Sequence, residues 1–333
     1  MHAFCCFAKH ILVAWSVAAL LCSGVALAQG ASDAYPARPV QVVIPYGPGG
    51  ATDLEARLYA QKLSDALGRP FVLDFKPGAG SMLGTALVAK AAPDGYSILI
   101  TSASLSVAPA LYKDLSYDPA RDLAPVSLMS KRATMLLMTP SAPFKTFPEF
   151  LSYARANPGA INFGTSGAGG IIHLSGAWLA SLTNIKVTFV HYKGSGTMYS
   201  DLLAGRVQVT PVTFTTGLPY IKSGKLKALA VTNLERSRLM PEVLTVAEQG
   251  VPGYEYPSWL GILAPGGTPP AIVSKLSAEL ARIARSPDVV QKLSDADGSL
   301  MVGSTPEQFR QLIVTEIGRW KKLVADTGIK LEE

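Results

Sequence analysis

Seven short runs rich in β-branched and aromatic residues recur along the chain: PVQVVIP, PFVLDF, YSILIT, INFG, VTFVHY, VQVTPV and LKALAV. Between them lie helical patterns at Asp53–Leu67, Gly84–Ala91, Phe147–Ala156, Ile172–Leu182 and Met198–Leu203. Strand and helix in alternation imply an α/β protein with mainly parallel sheets flanked by helices. Charged residues make up only 16% of the chain, and glycine and proline are frequent. That composition fits a well-buried α/β chain with many short turns and excludes a coiled coil or a disordered segment.

Two longer apolar stretches, PVSLMSKRATMLLMTP and YEYPSWLGILAPGG, flank a set of these α/β units. They are expected to be extended crossovers, carrying the chain to a second lobe and back. The expected division is a first lobe of residues 29–131, a second of 132–256, and a return to the first over 257–333. In the return, Thr268 with Pro269, Ser286 with Pro287, and Thr305 with Pro306 are predicted helix starts, a capping residue followed by proline at the first helical position. Gln308 completes a capping box with Thr305. Phe309, Ile313, Ile317, Trp320 and Val324 recur at helical spacing and predict one buried stripe.

At the other end, Lys9 and His10 precede the apolar run Ile11–Leu21, and Ala26-Leu27-Ala28 follows before Gln29. A basic start, a short apolar core and a small-x-small site predict a secretory signal peptide over 1–28, cleaved after Ala28. Cys5, Cys6 and Cys22 leave with it, so the exported protein has no cysteine and keeps only His173 and His191 as histidines. Disulfides, thiolate nucleophiles and cysteine-bound zinc are thereby excluded, and neither a metal nor a cofactor is expected. Of 30 basic and 24 acidic residues the segment removes only Lys9, leaving a net charge of +5. The bases are scattered without an aromatic-interleaved stripe, which argues against a nucleic-acid partner.

The chemistry concentrates in two glycine turns, each between a strand and a helix: IPYGPGGATDLEAR (44–57) and INFGTSGAGGIIHL (161–174). Glycine permits backbone conformations closed to other residues, and the free N–H groups and positive dipole end of the next helix attract an anion. Thr52 is expected to cap the first helix, with Glu55 three positions on. Neither turn completes a nucleotide motif. Gly47-Pro48-Gly49-Gly50-Ala51-Thr52 ends in threonine where a dinucleotide fingerprint needs glycine, and no Gly-Lys-Ser/Thr follows either turn. Gly164-Thr165-Ser166-Gly167-Ala168 misses a nucleophile elbow at its last position, and no histidine follows His191. Without a lysine or arginine among residues 47–52 or 164–170, a carboxylate is favoured over a phosphate.

These features resemble the Bug-type extracytoplasmic solute receptors, the substrate-binding proteins of tripartite tricarboxylate transporters. The resemblance runs from YPARPVQVVIPYGPGGATDLEAR through KPGAGS, PDGYSIL, YDPARDLAPV, HYKGSGTMYSDLLAGRVQV, GKLKALAVT, PEVLTVAEQGVPGYE and WLGILAPGGTP to WKKLVADTGIKLEE. It implies a two-lobed periplasmic-binding-protein fold, type II-like, with the two crossovers as a hinge. The two turns then act as jaws on a ligand carboxylate. Tyr46, Gly49, Gly50 and Thr52, with Gly47 inside the turn, form one jaw. Thr165, Ser166, Gly167 and Gly170, with Ala168 inside the turn, form the other, and His173 stands on the following helix. Ser81, Ser102, Thr213 and Thr215 follow predicted strands and are candidates for the ligand's far end.

Departures from the family pattern are Ala51 and Gly170 at frequent serine positions, Ile171 and Ile172 at small or polar ones, Phe75 for asparagine and Thr197 for proline. Fewer hydroxyls and more apolar surface imply a ligand with an apolar part, or a different arrangement of waters. His173 is open to two roles, ligand partner or turn cap, whereas His191 reads as a packed strand residue. Tyr46 and Trp259 are cleft or core aromatics, and Asp201 is an amine receiver or a surface residue. The implied protein is a periplasmic, monomeric receptor for a small organic acid or amino acid, serving transporter subunits. A sensor in the membrane is the alternative partner. An exported hydrolase using Ser166 with His173 is the remote alternative.

Overall fold

The computed structural model describes residues 35–48, 51–165, 171–192, 195–256, 258–294 and 298–328. The expected signal peptide and Gly49, Gly50, Ser166, Gly167, Ala168 and Gly170 lie outside the described residues. All seven runs form strands: β1 Val40–Ile44, β2 Phe71–Phe75, β3 Ser97–Ser102, β6 Asn162–Thr165, β7 Thr188–His191, β8 Val209–Thr213 and β9 Lys227–Val231. The first crossover stretch contributes β4 Leu123–Lys131 and β5 Thr134–Met138, and the second contributes β10 Trp259–Pro265. A two-residue strand, β11 Leu300–Met301, completes the set.

The strands make two sheets, ordered β11-β4-β10-β3-β1-β2 and β7-β6-β8-β5-β9. Most run in one direction within each sheet. The exceptions are β10, inserted antiparallel between β3 and β4, the edge strand β11, and β5, antiparallel to both its neighbours. Antiparallel insertion follows from the crossovers, since a strand that returns from the other sheet enters from the cleft end and runs against its neighbours. The result is a two-lobed α/β fold with one sheet per lobe.

Both faces of each sheet are covered, which is why the strands are apolar throughout. In the first sheet, Val42, Ile44, Ile98 and Ile100 face a core completed by Tyr59, Leu63, Leu276 and Leu280. Val43 and Leu99 face the opposite side with Trp259, Phe309 and Ile313. The second sheet divides likewise, Leu136 and Met138 packing with Phe147 and Phe150 while Met135 and Leu137 pack with Leu202 and Phe214.

The helices are α1 Ala51–Leu67, α2 Met82–Ala89, α3 Ser104–Leu111, α4 Phe147–Ala156, α5 Ile171–Thr183, α6 Ser195–Leu203, α7 Phe214–Lys222, α8 Pro270–Ala284 and α9 Pro306–Thr327. Sequence periodicity passes over α3 and α7 because each is short and carries an internal proline, Pro109 or Pro219. The capping box at Thr305 and Gln308 is present in α9. Phe309, Ile313 and Trp320 are buried, and Ile317 and Val324 are packed at the edge of the stripe.

Two expected caps are corrected. Pro269 occupies the cap position of α8, and the Thr268 hydroxyl donates to the Pro265 carbonyl at 2.8 Å. Ser286 holds its expected cap position with Pro287 first in the short helix Pro287–Val289, although its hydroxyl donates backwards to the Ile283 carbonyl at 2.6 Å. Thr52 falls inside α1 and not at its cap.

The sheets are joined at Arg132–Ala133 and by the segment 232–258. Backbone bonds clamp the two passages: Arg132 N to Ser258 O at 2.7 Å, Thr232 N to Thr134 O at 2.9 Å and Tyr256 N to Thr232 O at 2.8 Å. The Asn233 amide binds both sides of the first passage, accepting from Thr134 N at 2.7 Å and donating to Arg132 O at 3.0 Å. A second bridge lies in front, where Leu174 of α5 shares a buried cluster with Val107, Trp320 and Leu323 of α3 and α9. Trp178 and Trp320 meet there edge-on, 5.9 Å between ring centres.

Candidate functional site

In a twisted sheet of this kind, ligands sit beyond the carboxyl ends of the strands. At those ends of the first sheet the structure gathers a hydroxyl cluster. Tyr46, two residues past β1, places its hydroxyl 2.7 Å from Ser102 Oγ at the end of β3. The same oxygen lies 2.6 Å from Ser104 Oγ at the start of α3 and 3.2 Å from Thr101 Oγ1. Ser104 Oγ is 3.0 Å from Ser81 Oγ. Ser81 is buried and left-handed at φ 82°, and the exposed Ala79 is left-handed at φ 47°. Non-glycine residues held in that region concentrate at ligand-binding turns, where the surrounding structure over-determines them.

The sequence expectation thus holds Tyr46, Ser81 and Ser102 together and misses Ser104, whose only signal is its position two residues past a strand. The hydroxyls bond to one another, and each can rotate its proton outward. A carboxylate, which only accepts, is the natural complement to such a set.

Thr52 and Glu55 do something the capping pattern did not foresee. Both face Arg132, whose Nη2 lies 3.4 Å from Thr52 Oγ1 and 3.3 Å from Glu55 Oε2. Arg132 and Glu55 are both largely buried, at 11% and 5% side-chain exposure. The hinge is therefore tied to the helix that follows the first glycine turn. The visible signal was a charged pair, Lys131-Arg132, within an otherwise apolar crossover. Gly47 is exposed, with open space where a side chain would stand.

The second lobe presents the ends of β6, β7 and β8. Thr165 and His191 are register partners across β6 and β7, and Thr165 Oγ1 lies 2.6 Å from His191 Nδ1. The His191 ring meets that of His173 edge-on at 4.6 Å, and Phe189 lies 4.6 Å from His173 on the same strand as His191. His191 is accordingly more than a packed strand residue; it links Thr165 at the end of β6 to His173 on α5. Thr213 Oγ1 lies 3.0 Å from Thr216 Oγ1, and Thr216 bonds the Tyr199 phenol, which burial pushes up to about 12. Tyr199 stacks with Tyr220 at 6.0 Å.

Other candidates are drawn elsewhere. Trp259 is buried and its indole N–H donates to the Glu316 carboxylate at 3.0 Å, which makes it core. Asp201 accepts from the Tyr192 hydroxyl at 2.7 Å and pairs with Arg206 at 2.6 Å. Ile171 packs against the Val107–Trp320 cluster of the facing lobe, and Ile172 against the second-lobe core. Both are half-buried by these contacts, which cover part of the apolar surface that the departures add. Among the described residues no group of three or more histidine, cysteine or acidic side chains is placed to hold a metal. None of their helices is long and apolar enough to cross a membrane.

Burial and the neighbouring His191 push the His173 imidazole down to about 4. The unfolded chain, with a histidine near 6.5, then binds more protons than the fold between these values. The stabilisation is complete above pH 6.5 and is lost as pH falls towards 4. At pH 5 the loss amounts to about 2 kcal/mol. Melts of the wild type and His173→Gln between pH 7.5 and 4.5 should diverge in slope below pH 6.5, the variant being flatter. Parallel curves would mean that His173 protonates in the fold as it does in water.

Comparison with known proteins agrees with this geometry. The family described as "Tripartite tricarboxylate transporter family receptor" matches residues 55–329. A protein encoded in the tcbD-tcbE intergenic region of Pseudomonas sp. (strain P51) is 38% identical over 91% of this chain and 93% of its own length. Protein BugT of Bordetella pertussis is 36% identical, covering 90% and 93%. Among solved structures, an R. palustris protein with adipate has a TM-score of 0.77 at 35% identity, covering 90% of this chain and all of that one. MatC from Rhodopseudomonas palustris with bound malate has a TM-score of 0.74 at 34% identity, covering 87% and 100%. The periplasmic binding protein BugD has the same TM-score at 33% identity, covering 90% and 100%. With the family pattern matched along most of its length and two sheets meeting at their carboxyl ends, the chain belongs to the receptors of the tripartite tricarboxylate transporter family, the Bug-type solute receptors, and is a receptor, not an enzyme.

Proposed function

We propose that the protein is exported by a signal peptide cleaved after Ala28, captures a small carboxylate between its lobes and delivers it to a tripartite membrane transporter as a monomer. The lobes are residues 29–131 with 257–333, and 132–256. The observation that carries this reading is the hydroxyl cluster of Tyr46, Ser81, Ser102 and Ser104 at the strand ends beside the first glycine turn. It supplies neutral donors, with the backbone N–H groups of Gly49 and Gly50 assigned the same carboxylate. From the second lobe, Gly167, Gly170 and Ser166 supply the opposing donors, with His173 kept neutral beside them. Thr165, Thr213 and Thr52 shape the walls through His191, Thr216 and Arg132.

Binding favours the closed arrangement because only there do both lobes reach one ligand. Relatives solved with adipate and with malate support a dicarboxylate as the first class to try. The test is a thermal-shift panel on residues 29–333 with mono-, di- and tricarboxylates, amino acids and aromatic acids. A saturable rise in Tm with a C4–C6 dicarboxylate is expected. A saturable rise only with non-carboxylate solutes would overturn the reading.

A further inference from the structure

The hinge divides the space between the lobes in two. In the first sheet β1 and β3 lie on one side of the hinge strand β4, and β11 lies on the other. In the second sheet β6 and β8 lie on one side of β5, and β9 lies on the other. All the site residues described above belong to the first side. On the second, a cavity of about 640 Å³ opens between residues 233–238, just after β9, and residues 284–294 and 298–301, towards β11. That volume lies well within the range of small-molecule sites. No candidate residue of the carboxylate site lines it.

Its walls combine two chemistries. Leu234 and Leu300, on opposite lobes, are 50% and 57% exposed, among the most exposed large apolar side chains of the described residues. Val290 and Met301 extend that apolar surface. Four cations, Lys131, Arg236, Arg238 and Arg285, line it against two acids, Glu235 and Glu255. Lys131 is paired with Glu255 at 3.2 Å, and Arg236 with Glu248 outside the cavity at 2.9 Å. Arg238 reaches across to the Ser294 hydroxyl. Arg285 is exposed and has no side-chain partner among the described residues. Apolar side chains contributed to one cavity by both lobes, with an available guanidinium in the same lining, fit a molecule that is apolar in body and anionic at one end.

We infer that this rear cavity is a second binding site, for a small amphipathic organic anion such as an aromatic or branched monocarboxylate or sulfonate. The ligand's body lies between Leu234 and Leu300 and its charged group against Arg285. Because it touches both lobes, it responds to substitutions on either wall. The inference rests on the two-lobed fold and not on the ligand assigned to the front cleft.

The probe is 8-anilinonaphthalene-1-sulfonate, titrated into residues 29–333 by calorimetry at fixed ionic strength. One saturable site per chain is expected. Arg285→Ala and Leu300→Glu on one wall, and Leu234→Glu on the other, should each weaken it at least tenfold, all three being exposed positions that leave the fold intact. The double variant Gly50→Val with Gly167→Val should leave it unchanged. Absence of a saturable site, insensitivity to the three wall variants, or loss in the glycine double variant would each overturn the assignment. That last control also separates the rear site from the front one, whose failure leaves this titration unaffected.

Discussion

The double variant Gly50→Val with Gly167→Val is expected to lose carboxylate binding by at least about 1000-fold while remaining folded. Each charge-assisted hydrogen bond from a backbone N–H contributes roughly 1.5–3 kcal/mol. Neither residues 47–52 nor residues 164–170 include a lysine or arginine to replace such bonds. A β-branched side chain in each turn restricts the backbone conformations glycine allows and places methyl groups where the ligand must approach. Loss of three or more such bonds over the two turns therefore removes more than about 4 kcal/mol, the free energy separating a micromolar from a millimolar site. The measurement is calorimetric titration with the dicarboxylate that gives the largest thermal shift, with circular dichroism to establish the fold. Retained affinity in a folded double variant would sink the two-jaw reading and move attention to the hydroxyl cluster alone.

Gly261→Ala should destabilise the protein by about 3 kcal/mol, at the upper end for added volume in a packed core. Gly261 lies in the middle of β10, the strand inserted between β3 and β4. A Cβ built there would stand 2.2 Å from Cζ of Phe309. Phe309 is fully buried and held edge-on against Trp259, ring centres 5.3 Å apart at 88°. Trp259 is in turn fixed by its bond to Glu316, a carboxyl whose burial raises its pKa. The ring can give way only by displacing its packed neighbours, so strand and helix α9 are pushed apart. Chemical denaturation would read the loss directly. Phe309→Leu in the Gly261→Ala background should recover part of it, since the shorter side chain vacates the contact. A Gly261→Ala protein as stable as the wild type would show that β10 and α9 can shift apart freely.

Local rules made much of this architecture legible. The seven apolar runs became strands because a short run of β-branched and aromatic residues can bury itself only within a covered sheet. The α9 capping box formed because its partners lie three residues apart, where helix geometry alone brings them together. Where a local rule had a nearby competitor, tertiary contact prevailed. Thr52 and Glu55 have capping-box spacing, yet both turn to Arg132, because a largely buried guanidinium needs oxygen partners that water does not supply.

The sequence by itself determined the α/β class, the crossovers between lobes, and the placing of glycine turns between strand and helix. Each depends on residues within one or two turns of one another. Only the tertiary structure decided which hydroxyls form the cluster around Tyr46, since Ser102 and Ser104 lie 56 and 58 residues away in the chain. It also joined Thr165 to His191 across 26 residues and Arg132 to Glu55 across 77, and packed Ile171 against the opposite lobe. Side-chain identity states what a residue can donate, accept or bury. Which partner it meets is set by how the strands are ordered in the sheets, and that order comes from the packing of the whole chain.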